Sequence, residues 1–252
     1  MRPVAADPPI LDSVTLVAVT SVAIGPTIEA LRSSMRQARF GRVLLLSDRP
    51  PRDEATGIEW RRIEPLRSRS DYSRFMLRNL ADHVETPHAL CVQWDGFVLD
   101  GAAWEPGFLD YDYIGAPWPH FADRHTVGNG GFSLRSRALL RSSKELPVGG
   151  SQSEDVLICR QYRPELEARG LCFAPEPVAR RFAYERMPPT GAEFGFHGAF
   201  NLVRMLPRAR VLPLFRSLEP NVLARSERLE LLRWALANGR PGVAIEMARR
   251  LF

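Results

Sequence analysis

Carboxylate and imidazole side chains lie in three separate segments of the chain, and their types suit the transfer of a sugar from an activated donor. Glu154 and Asp155 stand together at the predicted start of a helix, which favours the ionised form of a base for an acceptor hydroxyl. Asp95 follows an apolar strand and offers a carboxylate to a cation that bridges two phosphates. His197, beside a glycine, offers an imidazole to the same metal or to the diphosphate.

Each acid also has a purely structural interpretation. Asp95-Gly96 is a dipeptide typical of turns. Ser151 and Glu154 have the spacing of a capping box, in which Glu154 would bond back to the cap residue. Asp155 in a first helical turn would also complement the helix dipole. We predict that Asp155 is the base and that Glu154 is a cap or an acceptor-binding residue.

A glycine-rich segment at 128–131 is predicted to floor the sugar pocket. Gly130 and Gly131 have no side chains, so their backbone can approach a ligand closely, although a tight turn explains them equally well. The Lys-Ser/Thr of a phosphate-binding P-loop does not follow. Trp118, between two prolines, is predicted to border the acceptor sugar, with a packed loop aromatic as the alternative.

Three further residues are predicted to contact the donor. Thr20 ends the first apolar strand, where ligands of α/β proteins bind. Arg74 and Arg78 lie one turn apart on a predicted helix, from which both guanidinium groups could reach phosphate. A solvated helix face is the alternative for these arginines.

The hydrophobic pattern predicts an α/β fold with a mostly parallel sheet flanked by helices. Apolar β-rich runs predict buried strands, and 3.6-residue spacing predicts the helices between them. The predicted strands are 14–20, 43–47, 58–63 and 89–94, and the predicted helices are 26–39, 72–84 and 153–169. A return strand with its loop is predicted at 173–182.

The excess of positive charge lies in the C-terminal segment. The 252 residues carry a net charge of +5, and residues 199–252 contain ten arginines against four glutamates. No basic block is interleaved with aromatics, which argues against a nucleic-acid partner. Short helices are predicted there at 202–206, 211–218, 225–237 and 243–251. Packing on the core is their favoured role, because their apolar positions are numerous; contact with a protein or with anionic lipid is the alternative.

Composition points to the cytoplasm, with the inner membrane as a peripheral contact for the basic tail. No apolar run reaches the length of a membrane span, and the first residues lack a signal-peptide pattern. The three cysteines, without a Cys-x-x-Cys, are expected to be reduced and mostly buried. A Gly-x-Ser-x-Gly elbow and a Gly-x-Gly-x-x-Gly after the first strand are both absent, which disfavours hydrolases and dinucleotide enzymes.

From about residue 14 to residue 200 the chain resembles a bacterial family of uncharacterised domains, DUF5672, related to GT-A glycosyltransferases. The resemblance rests on four blocks in order, at 113–118, 128–135, 154–155 and 196–198. It implies a GT-A-like catalytic domain at 1–200 and a basic helical tail at 201–252.

The resemblance also implies the reaction and its cofactor. Glu-Asp-Val at 154–156 resembles the acidic motif of inverting β-glycosyltransferases, which implies Asp155 as the base for a glycan or polysaccharide hydroxyl. The donor would be a nucleotide-diphosphate sugar. GT-A enzymes usually carry Asp-x-Asp, whereas here Gln93 replaces the first acid and Asp95 retains the last. Mn²⁺ or Mg²⁺ would be held by Asp95 and His197.

Two other functions stay open at this point. A catalytically inactive subunit that binds a sugar or nucleotide is favoured by the missing acid at Gln93. A retaining transferase would use the same donor and differ in the anomeric configuration of its product.

Overall fold

The computed structural model describes residues 7–51, 55–147, 152–220 and 222–251, so Ser151 of the predicted capping box lies outside the described residues. Its strands are β1 (Ile10–Val19), β2 (Arg39–Ser47), β3 (Glu59–Arg62), β4 (His88–Val92), β5 (Phe97–Val98), β6 (Tyr113–Gly115), β7 (Phe132–Ser136), β8 (Ala183–Tyr184) and β9 (Gly195–Phe196). Its helices are α1 (Ile24–Met35), α2 (Arg69–Arg78), α3 (Arg137–Ser143), α4 (Glu154–Val156), α5 (Arg163–Ala168), α6 (Glu176–Phe182), α7 (Ala199–Met205), α8 (Arg208–Ser217), α9 (Arg225–Ala237) and α10 (Pro241–Arg249).

A mixed sheet with the order β3-β2-β1-β4-β7-β6 forms the centre of the molecule. Strands β3, β2, β1 and β4 are parallel, and β7 runs antiparallel to both of its neighbours. Strands β5, β9 and β8 form a second, small sheet. The prediction of a mostly parallel α/β fold is confirmed.

Alternating residues of the parallel strands pack on helices at both faces of the sheet. Leu16 and Leu45 pack on one face with Leu31 of α1, while Val17 and Leu46 pack on the other with Met76 of α2. Because both faces are covered, the strands are almost continuously apolar, which is the feature that made them visible in the sequence.

One predicted element is wrong. The segment from 176 to 182 forms helix α6 rather than a strand, and the return strand β8 is only Ala183–Tyr184. Pro177 lies in the first turn of α6, where its missing N–H costs no hydrogen bond, and Ala179 and Phe182 face the core. The three-residue spacing of these two buried side chains is helical.

The four predicted tail helices are present as α7 to α10. Their apolar side chains form a cluster of their own, centred on Phe215, Leu231 and Met247, which includes Ala23 and packs against Trp94 of the sheet region. Helix α9 is followed by Gly239, whose positive φ of 60° is typical of the residue that ends a helix. Packing is therefore a role of the tail; the domain boundary at residue 200 stays a prediction.

The structure bears on two further expectations. No helix in the described ranges is long and apolar enough to cross a membrane. All three cysteines are free thiols, with Cys91 and Cys159 buried and Cys172 exposed, as predicted.

Truncation of Phe215 tests the packing of the tail. Phe215 is fully buried in the tail cluster, so we expect Phe215→Ala to lower the free energy of unfolding by about 3–5 kcal/mol. Leu236→Ala is the matched control on α9, because Leu236 is 67% exposed; its effect should stay within about 0.5 kcal/mol. Urea denaturation measures both. Equal effects of the two changes would mean that the tail does not pack as described.

Candidate functional site

A cleft of about 520 Å³ opens at the carboxyl ends of β1 and β4. It is the place where ligands of open α/β sheets bind. The predicted site residues around it are Thr20, Asp95, Trp118, Gly130, Gly131, Glu154, Asp155 and His197. Segments far apart in sequence thus converge, and Asp95 and Asp155 share one hollow.

A buried ion pair supports the acidic side of the cleft. Arg135 of β7 is fully buried, and its Nη2 lies 3.2 Å from Glu154 Oε1. The same Nη2 donates to the carbonyl of Gly130 at 3.4 Å, and Nε donates to Ser133 Oγ at 3.0 Å. The hydroxyl of Ser73 on α2 donates to Glu154 Oε2 at 3.2 Å. Strand β7, the glycine segment, α4 and α2 are therefore joined at one point.

These contacts define the surroundings of Glu154. Burial, together with the charge of Asp155, raises the pKa of Glu154 against the opposing effect of Arg135. Both carboxylate oxygens are engaged by Arg135 and Ser73, and the residue at the cap position of α4 is Ser153, without a side-chain cap bond. Ser151 of the predicted capping box lies outside the described residues, and an acceptor-binding role of Glu154 stays a prediction.

Asp155 lies on the glycine segment with its carboxylate half-exposed to the cleft. Its Oδ2 accepts the N–H of Gly130 at 2.9 Å, and its Oδ1 accepts the N–H of Val156 at 2.8 Å and the hydroxyl of Ser153. Both carboxylate oxygens of Asp155 are therefore fixed to the backbone, one on the glycine segment and one on α4.

The glycine segment is held by an asparagine in an unusual conformation. Asn129 has a positive φ of 67°, which asparagine tolerates better than most residues, and its Oδ1 accepts the N–H groups of Gly131 and Phe132. A Cβ on Gly130 would overlap the carboxylate of Glu154, and one on Gly131 would overlap the imidazole of His197. Close approach of neighbouring side chains is the physical reason for both glycines.

His197 lies between two carboxylates on the other side of the cleft. Its Nδ1 is 3.1 Å from Glu185 Oε1, and its Nε2 is 3.2 Å from Gln93 Oε1. Asp95 Oδ1 lies 3.3 Å from Nε2, a charge contact that lacks hydrogen-bond geometry. Burial opposes the charge on His197, but Asp95 and Glu185 outweigh it and hold the pKa of the imidazole well above its usual value.

Residues 57–197, more than half of the sequence, match the family described as "Protein of unknown function (DUF5672)". The chain belongs to this family. The resemblance predicted from the four blocks is thereby confirmed, and the family's segment contains every predicted site residue except Thr20.

Two solved structures are similar to this chain at low identity. The apo-form glycosyltransferase GlyE of Streptococcus pneumoniae TIGR4 is similar with a TM-score of 0.46 and 12% identity, over 73% of this chain and 53% of its own. The chain thus spans about half the length of that protein. CMP:2-keto-3-deoxy-manno-octonic acid synthetase complexed with CTP is similar with a TM-score of 0.40 and 12% identity, over 64% and 87%. No curated protein matches the sequence.

Two predicted donor contacts lie outside the cleft of this DUF5672 protein. The first residues of α2, not its middle, border the cleft, so Arg67 and Arg69 line it while Arg74 and Arg78 do not. Arg78 instead donates to the carbonyl of Leu146 at 2.6 Å, and Arg74 is exposed to solvent. The one-turn spacing was visible in the sequence, but the direction of α2 relative to the sheet was not.

The remaining predicted positions are placed as follows. Thr20 Oγ1 accepts the N–H groups of Val22 and Ala23, so it shapes the turn before α1 as well as lining the cleft. Trp118 borders the cleft but is only 6% exposed, and its ring packs on Phe121. Both interpretations of Trp118, cleft residue and packed aromatic, therefore describe part of its environment.

Sequence reasoning missed several polar residues of the cleft, among them Tyr72, Asn129, Glu185 and Glu227. Tyr72 OH accepts from Gln93 Nε2 at 2.9 Å, which orients the amide oxygen of Gln93 toward His197. Glu185 directly follows strand β8, a position that marks candidate site residues, but the return strand was predicted at 173–182, which ends before β8. No sequence signal pointed to Glu227 in the tail.

Replacement of Gly131 tests the close packing beneath His197. We expect Gly131→Ala to lower the free energy of unfolding by about 1–3 kcal/mol, because the new methyl group overlaps the imidazole. Gly25→Ala is the control, since nothing lies within 4 Å of a Cβ there and α1 should gain slightly. Thermal unfolding compares the two variants. A Gly131→Ala protein as stable as wild type would contradict the described contact.

The raised pKa of His197 predicts a pH dependence of stability. A group whose pKa is raised in the folded state stabilises it fully below the unfolded value, about 6.5, and this contribution is lost as the pH rises through the folded value. As the pH rises above about 6.5, wild type should therefore lose stability more steeply than His197→Gln. Urea denaturation at several pH values measures the two slopes. Parallel slopes would show that His197 is not held as a cation.

Proposed function

We propose that the protein is an inverting glycosyltransferase that moves a sugar from a nucleotide-diphosphate donor to a glycan hydroxyl. The observation that supports it is the convergence of Asp95, Asp155 and His197 on one cleft floored by Gly130 and Gly131. Such a transfer needs two parts: a carboxylate that can act as the base, and a separate site that binds the charged diphosphate.

The base step is assigned to Asp155. Its carboxylate is fixed to the backbone of Gly130, so a sugar resting on the glycine segment lies beside it. An acceptor hydroxyl there would give its proton to Asp155 as its oxygen attacks the anomeric carbon. The bond between that carbon and the donor's phosphate oxygen breaks, and the nucleoside diphosphate leaves with the electron pair.

The residues at the other end fit a divalent cation. Oδ1 of Asp95 is buried and makes no hydrogen bond, and it faces the imidazole of His197. No group of three His, Cys, Asp or Glu side chains suited to a metal occurs in the described part of the chain. With only two protein ligands, Asp95 and His197 would hold Mg²⁺ or Mn²⁺ together with the donor's phosphates and water, which commonly complete the shell of Mg²⁺. Such an ion neutralises charge on the departing diphosphate.

Protonation of His197 is linked to that fit. A cationic imidazole cannot bind a metal, so His197 must release its proton when the ion enters. Glu185 and Asn129 fix the ring, because Glu185 Oε1 lies 3.1 Å and Asn129 Nδ2 lies 3.3 Å from its Nδ1. The Nε2 side consequently stays turned toward Asp95 and the cleft.

Asp155→Asn tests the base. The amide oxygen can still accept the N–H of Gly130, so the fold and donor binding should persist, while transfer falls at least about a hundredfold. Transfer to a glycan acceptor and donor affinity by calorimetry are measured together. Asp123→Asn is the control, because Asp123 pairs with Arg160 away from the cleft. Unchanged transfer in Asp155→Asn would remove this residue from the mechanism.

A non-catalytic binding subunit is the second candidate, favoured by Gln93. Both ends of its amide are engaged, by His197 and by Tyr72, so the position is a neutral hydrogen-bonding site where an Asp-x-Asp enzyme would carry an acid. Incubation with a panel of nucleotide-sugars separates the two candidates. Binding without slow donor hydrolysis or transfer would support the subunit, and the anomeric configuration of a product would distinguish inverting from retaining transfer.

A further inference from the structure

The C-terminal tail supplies part of the cleft wall. Val222 and Glu227, which precede and begin α9, line the cleft together with the family's residues although they lie outside the matched segment 57–197. Glu227 faces Arg69 at the start of α2, with its Oε2 lying 3.7 Å from Arg69 Nη2. A tail carboxylate and a cleft arginine thus meet across the opening.

Arg69 is placed to contact an anion. Its side chain is 78% exposed at the rim, and Arg67 lines the same part of the cleft. The first turn of the ten-residue helix α2 adds the positive end of its dipole, although the cap residue Ser68 already accepts the N–H of Asp71. A phosphate at the rim can therefore replace Glu227 as the partner of the Arg69 guanidinium.

Glu227 is held in place independently of Arg69. Its Oε2 accepts the backbone N–H of Ala224 at 2.6 Å, and the side chain is only 26% exposed. Burial and the nearby charge of Asp95 raise the pKa of Glu227, so its negative charge lies in unfavourable surroundings. The carboxylate stays where it is when Arg69 turns away, and an arriving diphosphate offers Arg69 more negative charge than Glu227 does.

We propose that Glu227 is an internal stand-in for a ligand phosphate, which pairs with Arg69 until the diphosphate of a nucleotide takes its place. This inference rests on the proposed function, because it assumes that a diphosphate enters the cleft. It makes the tail a determinant of donor affinity. Glu227 competes with the ligand for the guanidinium of Arg69.

Calorimetric binding of inorganic pyrophosphate and of UDP, GDP and CDP, each with Mg²⁺, tests the competition. We expect Glu227→Gln to bind about threefold to tenfold more tightly than wild type, since no charge has to be displaced. Glutamine keeps an oxygen for the N–H of Ala224, so α9 should remain folded. Glu230→Gln, on the same helix and paired with Arg186 outside the cleft, should leave the affinity unchanged.

A double-mutant cycle distinguishes a specific effect of the Arg69–Glu227 pair from the general electrostatic effect of removing one negative charge from the cleft. Arg69→Gln should bind about threefold to tenfold more weakly, and adding Glu227→Gln to it should give no further gain. A gain that persists in the Arg69→Gln background, an unchanged or lower affinity of Glu227→Gln, or absence of binding in all variants would each overturn the proposal. Arg69 is exposed, so Arg69→Gln should fold, and an affinity equal to that of wild type in this single variant would by itself overturn the proposal.

The same proteins distinguish this proposal from the proposed function. Coupling in the cycle without any sugar transfer would leave the Arg69–Glu227 exchange standing and remove the transferase. Sugar transfer by wild type, with strictly additive effects of the two substitutions on binding, would support the transferase and remove the Arg69–Glu227 exchange.

Discussion

The buried pair of Arg135 and Glu154 is the constraint on which the cleft depends. A charge without water is costly unless it is paired and hydrogen-bonded, so Glu154, Ser133 and the carbonyl of Gly130 must all stay near the guanidinium. That requirement fixes the glycine segment and α4 relative to each other. As a consequence, Asp155 accepts the N–H of Gly130. The buried carboxylate of Glu154 thus determines where the partly exposed carboxylate of Asp155 lies.

Charge balance in the cleft follows from the same principle. Five carboxylates line it, those of Asp95, Glu154, Asp155, Glu185 and Glu227. Arginine, the imidazolium of His197 or backbone N–H groups face each of them in the described structure. In the proposed function, a diphosphate would add negative charge to this nearly balanced set, so its entry would require either a divalent cation or the release of an arginine from a carboxylate. Asp95 with His197, and Arg69 with Glu227, are the proposed places for these two solutions.

The sequence predicted the scaffold better than the contacts. Strands β1, β2 and β4 were visible because both faces of the sheet are covered and their residues are continuously apolar, and Thr20 and Asp95 were found from their positions at strand ends. Arg74 and Arg78 were misplaced because helical spacing gives a face but not the direction in which α2 runs. Glu185 and Glu227 were missed because their partners lie in other segments, and such pairings leave no local pattern.

The tail, finally, cannot be regarded as an appendage to a finished cleft. Its apolar cluster includes Ala23 and packs on Trp94, two residues that directly follow Thr20–Val22 and Gln93 at the strand ends where the cleft opens. Any ligand that shifts Trp94 or the start of α9 must therefore change the packing of the tail, and by linkage the tail's packing must change the affinity for that ligand equally. Packing of the basic tail helices and ligand binding in the acidic cleft are thus thermodynamically coupled, although the two regions differ in composition.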